Sequence, residues 1–234
     1  KRQVINYFKK ENINITELSY FDISSDLDIG KVDPDYLLDV LSKKDLSNSD
    51  ALFVSCTALP VLSIIKDLEK KMADDIPKVT EDILPDQKLD CVAYGCTSGT
   101  IAAGYASIFE KVNLAKPNTK VTTPITSAIN ALKTLKINKL SVFTPYTDEI
   151  NQSVINYFKK ENINITELSY FDIASDLDIG KVDPDYLFDV LAKKDLSNSD
   201  ALFVSCTALP VLSIIKDLEK KSGKVVLSSN QTLI

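Results

Sequence analysis

The chain is 234 residues long, with 44% apolar and 26% charged residues and a formal net charge of −6, enough apolar chain for a core without disulfides or metal. The acidic surplus speaks against a phosphate-tracking nucleic-acid binder, and no apolar run reaches the roughly 18 residues of a membrane span. Histidine is absent, which removes Ser-His-Asp and Cys-His catalysis and histidine-ligated zinc or haem.

In chain order, Lys1-Arg2-Gln3 is not followed by the apolar core of an export signal, so a cytoplasmic protein with free thiols is expected. Predicted strands are Ile15–Phe21, Ala51–Ser55, Leu89–Gly95, Lys120–Thr123, Lys139–Thr144, Ile165–Phe171, Ala201–Ser205 and Lys224–Ser228. Continuous apolar runs such as Ala201-Leu-Phe-Val204 suit strands buried on both faces of a parallel sheet. Between them, helical spacing marks Ile76, Val79 and Ile83, then Ile125, Ile129, Leu132 and Leu135, then Ile150, Val154 and Phe158. Asp33-Pro34 and Asp183-Pro184 read as an N-cap followed by proline at the first helical position. Strand–helix alternation predicts an α/β protein. The strands fall into two groups, so two pseudo-symmetric lobes are expected, each a mostly parallel four-stranded sheet flanked by helices and flavodoxin-like. The first lobe would span 1–124 and the second 125–234.

An internal repeat complicates this division. Val4 to Lys71 recurs as Val154 to Lys221, differing only at Ser24/Ala174, Leu38/Phe188 and Ser42/Ala192. The copies flank the unrelated segment Met72 to Gln152, so this is a duplication or chimera rather than a solenoid. The lysine pairs Lys9-Lys10, Lys43-Lys44 and Lys70-Lys71, and their copies, sit where helix C-termini favour cations.

Six glycines form no phosphate-binding loop, which disfavours a nucleotide cofactor. The chemical signal lies in the cysteines Cys56, Cys91, Cys96 and Cys206, whose spacings match no zinc knuckle or redox loop, so no metal is expected. Cys91 reads as a buried strand residue on the face opposite Cys96. Cys96 and Cys206 each follow an apolar strand and precede a threonine and a helix start; Cys56-Thr57 duplicates the second. Ligands of open α/β sheets bind beyond the carboxyl ends of the strands. Free N–H groups at a helix start attract anions and favour a thiolate. Two facing thiols would form an acid–base pair, or one would add to an activated double bond. Read singly, a cysteine is more often a small buried hydrophobe than a catalyst, and each threonine a simple N-cap; two matching Cys-Thr elbows are what favour the functional reading.

The segments Tyr94-Gly-Cys-Thr-Ser-Gly-Thr100, Phe143-Thr-Pro-Tyr-Thr-Asp148, Ser205-Cys-Thr-Ala-Leu-Pro210 and Ser228-Ser-Asn-Gln231 resemble the aspartate/glutamate racemase superfamily. Within it they are most similar to the branch of maleate cis–trans isomerase, arylmalonate decarboxylase and the ectoine-utilisation racemase-like protein. The resemblance covers about residues 72–234. It implies two lobes with the active site between them, no cofactor, a small carboxylate substrate and a homodimer. It implies Cys96 and Cys206 as catalytic cysteines, with Thr97, Ser98, Tyr146, Thr207 and Asn230 contacting substrate.

In place of the family's opening strand and its Pro-Ser-Ser-Asn-like loop stands the copy of second-lobe sequence. Cys56 and Thr57 therefore form a possible duplicate site, and either Cys56 or Cys206 could face Cys96. The leading function is a cofactor-independent isomerase or racemase of a small carboxylate or dicarboxylate. The alternatives are a non-catalytic acid-binding or inactive chimeric paralogue, and an arylmalonate-type decarboxylase.

Overall fold

The computed structural model describes residues 72–234, which lie within one compact unit, Val61–Ile234. The predicted strands Ile15–Phe21 and Ala51–Ser55, the Asp33-Pro34 cap and the Cys56-Thr57 pair lie outside the described residues. No helix among the described residues is long and apolar enough to cross a membrane.

The chain runs α1 (Ile76–Asp82), β1 (Cys91–Ala93), α2 (Thr97–Ala103), α3 (Tyr105–Ala115), β2 (Lys120–Thr122), α4 (Pro124–Thr134), β3 (Lys139–Thr144), α5 (Asp148–Lys160) and β4 (Asn164–Tyr170). There follow α6 (Asp176–Gly180), α7 (Pro184–Leu191), β5 (Ala201–Val204), α8 (Ile215–Ser222), β6 (Val225–Ser228) and α9 (Ser229–Leu233). Parallel sheets flanked by helices result, as the alternating pattern predicts. One sheet pairs β1 with β2; the other has the order β4-β3-β5-β6, and every pairing is parallel. The four-stranded expectation is met in the second sheet. In the first, the described residues supply two strands, and the remaining predicted ones fall outside them.

Burial explains the strand order. All of β5 is buried, as is β3 after Lys139, and these continuously buried strands take the centre. The half-exposed β4 takes the edge, with a register shift where Leu140 pairs Ile165 and Ser141 pairs Glu167. The main core gathers Phe143, Phe158, Phe203, Leu140, Leu202 and Val226 between the sheet and its helices. Ile125, Ile129 and Leu132 of α4 enter it as their spacing predicts. Leu135 does not: α4 ends at Thr134, and the Leu135 side chain is exposed. A smaller core joins Ala73, Ile76, Ile108 and Val112. Here the expected stripe Ile76, Val79, Ile83 is corrected. Val79 is 59% exposed and the inward positions are Ala73, Ile76 and Thr80, because the helix meets α3 on that side.

Helix ends follow their local chemistry. Asp183 caps α7 by accepting from the Asp185 and Tyr186 N–H groups, with Pro184 at the first position. Lys159 and Lys160 occupy the last turn of α5, and Lys220 and Lys221 that of α8, where cations oppose the helix dipole.

Candidate active site

In the second sheet β4 and β5 lie on opposite sides of β3, so the topology switches direction between β3 and β5. A crevice opens at such a point beyond the carboxyl ends of the strands. Tyr146 follows β3 and Cys206 follows β5, so both stand at its floor. Beyond β6, Ser229 opens α9; beyond β1, Cys96 opens α2.

Cys96 is the N-cap of α2, in extended conformation, and its sulfur accepts the Gly99 N–H at 3.2 Å. A backbone donor aimed at sulfur stabilises its anionic form. Ser98 Oγ lies 3.7 Å from the same sulfur. Gly99 is demanded by this packing: a Cβ there would fall 2.7 Å from the Tyr94 hydroxyl oxygen and 2.9 Å from Cys96 Sγ.

Cys206 sits at φ = 84°, a left-handed conformation that costs a non-glycine residue about 1–3 kcal/mol and persists only where its surroundings hold it. The Cys206 N–H donates to Ser229 Oγ at 3.1 Å. The thiol is buried. Burial pushes it up to about 12; the Asp176 charge adds to this, while the Ala208 N–H and the Tyr146 hydroxyl pull the other way. Cys206 is therefore a thiol, a proton donor, at neutral pH. Cys96 raises it slightly further, so the two sulfurs lie within electrostatic reach of one another.

Tyr146 is 1% exposed. Its hydroxyl accepts from Ser205 Oγ at 3.4 Å and contacts the Cys206 thiol, and burial followed by the Cys206 charge raises its pKa well above the usual phenol value. Its backbone carbonyl accepts from the buried Asn151 amide at 3.1 Å, which fixes the turn after β3.

The remaining predicted residues stitch the two sheets together. Thr97, 2% exposed, donates its hydroxyl to Ser229 Oγ at 2.9 Å. Thr207 donates to the Gly95 carbonyl at 2.7 Å, and the Asn230 amide donates to the Thr207 carbonyl at 3.0 Å. Thus Cys96, Thr97, Ser98, Tyr146, Cys206, Thr207 and Asn230 converge in one place. Cys56 and Thr57 lie outside the described residues. Cys91 differs from expectation: it is exposed. The strand β1 is only three residues long and alternates, turning Val92 toward the small core and Cys91 and Ala93 away from it. Among the described residues no cluster of carboxylates and thiols is arranged to hold a metal ion.

Sequence reasoning missed Ser229, Tyr94 and Asp176. The first two stand inside the motifs that carry the resemblance, Ser229 beside Asn230 and Tyr94 two positions before Cys96. Asp176 stands in an acidic run, Asp176-Leu-Asp178, where nothing local separates a site residue from a solvated one.

The family model for arylmalonate decarboxylase matches residues 99–233, a stretch that contains Tyr146, Cys206, Ser229 and most of α2. The chain belongs to the arylmalonate decarboxylase family. This places it in the superfamily branch, shared with maleate isomerases, that its motifs resemble. The maleate isomerase of Geobacillus stearothermophilus is 28% identical over 178 residues, covering 72% of this chain and 70% of that one. Alignments with the maleate isomerases of Pseudomonas putida and Alcaligenes faecalis span only 62% and 61% of those proteins. Among solved structures, the maleate isomerase of Pseudomonas putida S16 with maleate superimposes with a TM-score of 0.67 at 20% identity, over 73% of this chain and 71% of that one. A cysteine-to-serine variant of Nocardia farcinica maleate cis-trans isomerase, holding a covalently bound succinylcysteine intermediate, gives 0.66 at 18% identity, over 73% and 72%. Both maleate isomerase structures thus share the fold of this chain.

Proposed function

We propose that the protein is a cofactor-independent isomerase that interconverts the cis and trans forms of a small unsaturated dicarboxylate, with maleate as the model substrate. The observation that carries this reading is the inequality of the two cysteines. Cys96 is partly exposed with an N–H aimed at its sulfur, whereas Cys206 is buried and held as a thiol. One is equipped to attack and the other to supply a proton.

In this mechanism the Cys96 thiolate adds to one alkene carbon, forming a C–S bond. The electron pair of the double bond moves to the neighbouring carbon, which takes the Cys206 proton and leaves Cys206 as thiolate. The new C–C single bond rotates. Cys206 then recovers its proton, the double bond reforms in the trans geometry, and the C–S bond breaks to return the Cys96 thiolate. A succinylcysteine intermediate in the Nocardia relative supports addition rather than a proton swap alone. One substrate carboxylate would rest on the first-turn N–H groups of Thr97 and Ser98, which helix geometry leaves without internal partners. The Tyr146 hydroxyl would steady the second carboxylate as charge moves onto it. Thr207 and Asn230 would hold the wall between them. The lobe division at 124/125 belongs to this proposal, with α4 opening the second lobe.

The experiment is a paired assay: conversion of maleate to fumarate followed by proton NMR, and solvent deuterium exchange into aspartate or glutamate. Conversion that disappears in both Cys96→Ser and Cys206→Ser is the expected result. Deuterium exchange without conversion would replace the isomerase with a racemase. Full activity in both variants would remove both. Release of carbon dioxide from an arylmalonate would favour the decarboxylase that gives the family its name. Carboxylate binding without any turnover would mark a non-catalytic binder.

A further inference from the structure

Asp176 opens α6, a five-residue helix whose last residue, Gly180, lies against the turn that follows Cys206. Ile179 is wholly buried in the core, and a Cβ at Gly180 would sit 3.9 Å from the Ala208 carbonyl oxygen. On the other side, the chain leaving β4 follows the strand that leads to Tyr146. The Phe171 N–H donates to the Thr144 carbonyl at 3.2 Å and the Ile173 N–H to the Pro145 carbonyl at 2.8 Å. The Asp176 side chain is therefore held beside the cleft floor by contacts at both ends of its loop.

The carboxylate is half-buried and, among the described residues, makes no hydrogen bond or ion pair. Lys181, the nearest lysine in sequence, is taken by Asp178 at 2.9 Å. The titratable group that the Asp176 charge reaches is itself an acid, Cys206 from the turn after β5; Tyr146 from the turn after β3 and Cys96 from the other sheet lie beyond it and act on Cys206. On its own helix, Asp178 is exposed and already paired. Burial favours the neutral acid at Asp176, and no described lysine offsets its charge. A dianion entering this cleft meets an uncompensated negative charge in a partly desolvated place, where like charges repel far more strongly than in water.

We propose that Asp176 takes up a proton when a small dicarboxylate enters the cleft, so that diacid binding is proton-linked and weakens as pH rises. This rests on the reading of the Cys96–Cys206 cleft as a small-acid site. Burial makes protonation easier here than at an exposed aspartate, and protonation removes the repulsion. Asp176 is then a specificity residue: it sets the pH range over which the cleft accepts two negative charges.

The test is isothermal calorimetry with succinate, a saturated diacid that cannot isomerise, at near-neutral pH in buffers of different ionisation heat. The intact chain is expected to take up about one proton per succinate, with affinity falling about tenfold per pH unit while the free carboxyl is ionised. Asp176→Asn is expected to bind succinate without proton uptake and with affinity independent of pH, while Asp178→Asn keeps the wild-type linkage. No proton uptake in the intact chain, or unchanged uptake in Asp176→Asn, overturns the inference; the first holds even if the variant fails to fold. Maleate turnover without linkage removes Asp176 and keeps the isomerase. Linked succinate binding without turnover does the reverse; absence of succinate binding removes the Asp176 linkage, and absence of maleate turnover as well removes both.

Discussion

The Thr97 hydroxyl donates to Ser229 Oγ at 2.9 Å, and the same oxygen receives the Cys206 N–H at 3.1 Å. One serine thus joins the residue after the first cysteine to the backbone of the second. The two cysteines come from different sheets, and this serine, together with the Thr207 hydroxyl on the Gly95 carbonyl, ties their elbows to one another.

Replacing that serine should loosen the pair. Ser229→Ala leaves the buried Cys206 N–H and the Thr97 hydroxyl without their acceptor. Stranding buried polar groups costs about 1–3 kcal/mol, so the urea midpoint should drop accordingly. Turnover should fall by more than the fraction unfolded explains, because the strained Cys206 turn loses a support. Unchanged activity at reduced stability would show that the bridge serves the fold alone.

Gly99 offers the opposite dissociation. Alanine in a helix is ordinarily favoured over glycine by about 1 kcal/mol. Here its Cβ would lie 2.7 Å from the Tyr94 hydroxyl and 2.9 Å from Cys96 Sγ, so the thiol must shift away from the Gly99 N–H. Gly99→Ala is expected to lose most activity while its melting temperature moves by only a few degrees. Wild-type kinetics would refute the tight packing.

Alkylation should rank the thiols. At neutral pH iodoacetamide should label exposed Cys91 and part-exposed Cys96 and spare Cys206, which is buried and protonated. Cys56 and Cys206 lie in identical tryptic peptides, 45–66 and 195–216, so the experiment requires a Cys56→Ser background. Rapid native-state labelling of Cys206 would contradict its placement.

The same burial sets a pH dependence of stability. An unfolded thiol titrates near about 8.5, whereas folding pushes Cys206 up to about 12. Above the unfolded value the native state holds a proton that the unfolded chain has released. Stability from this group is therefore complete below that value and declines as pH climbs toward 12. Wild type and Cys206→Ala, compared by urea unfolding, should converge in stability across that window. A constant gap would mean that the thiol titrates alike in both states.

Much of the fold is legible because burial writes itself into local pattern. Runs rich in apolar and β-branched residues marked β3, β5 and β6 within a residue of their observed bounds, and the Asp183-Pro184 pair marked the start of α7. Failures came where a pattern could be satisfied on more than one side. The stripe through Val79 was periodic but pointed outward, since helical spacing does not say which face meets α3. Cys91 looked buried by composition, yet β1 is short and turns that side chain out.

By itself, then, the sequence determined the α/β class, the strand–helix succession and the Cys-Thr elbows, all of which arise from interactions among residues near one another along the chain. Only the tertiary structure decided that the elbows come together, that Ser229 bridges them, and that Cys206 is the proton holder beside an unpaired Asp176. Those properties depend on desolvation and on charges brought together across 30 to 132 positions of sequence, and no local pattern encodes which distant groups will meet.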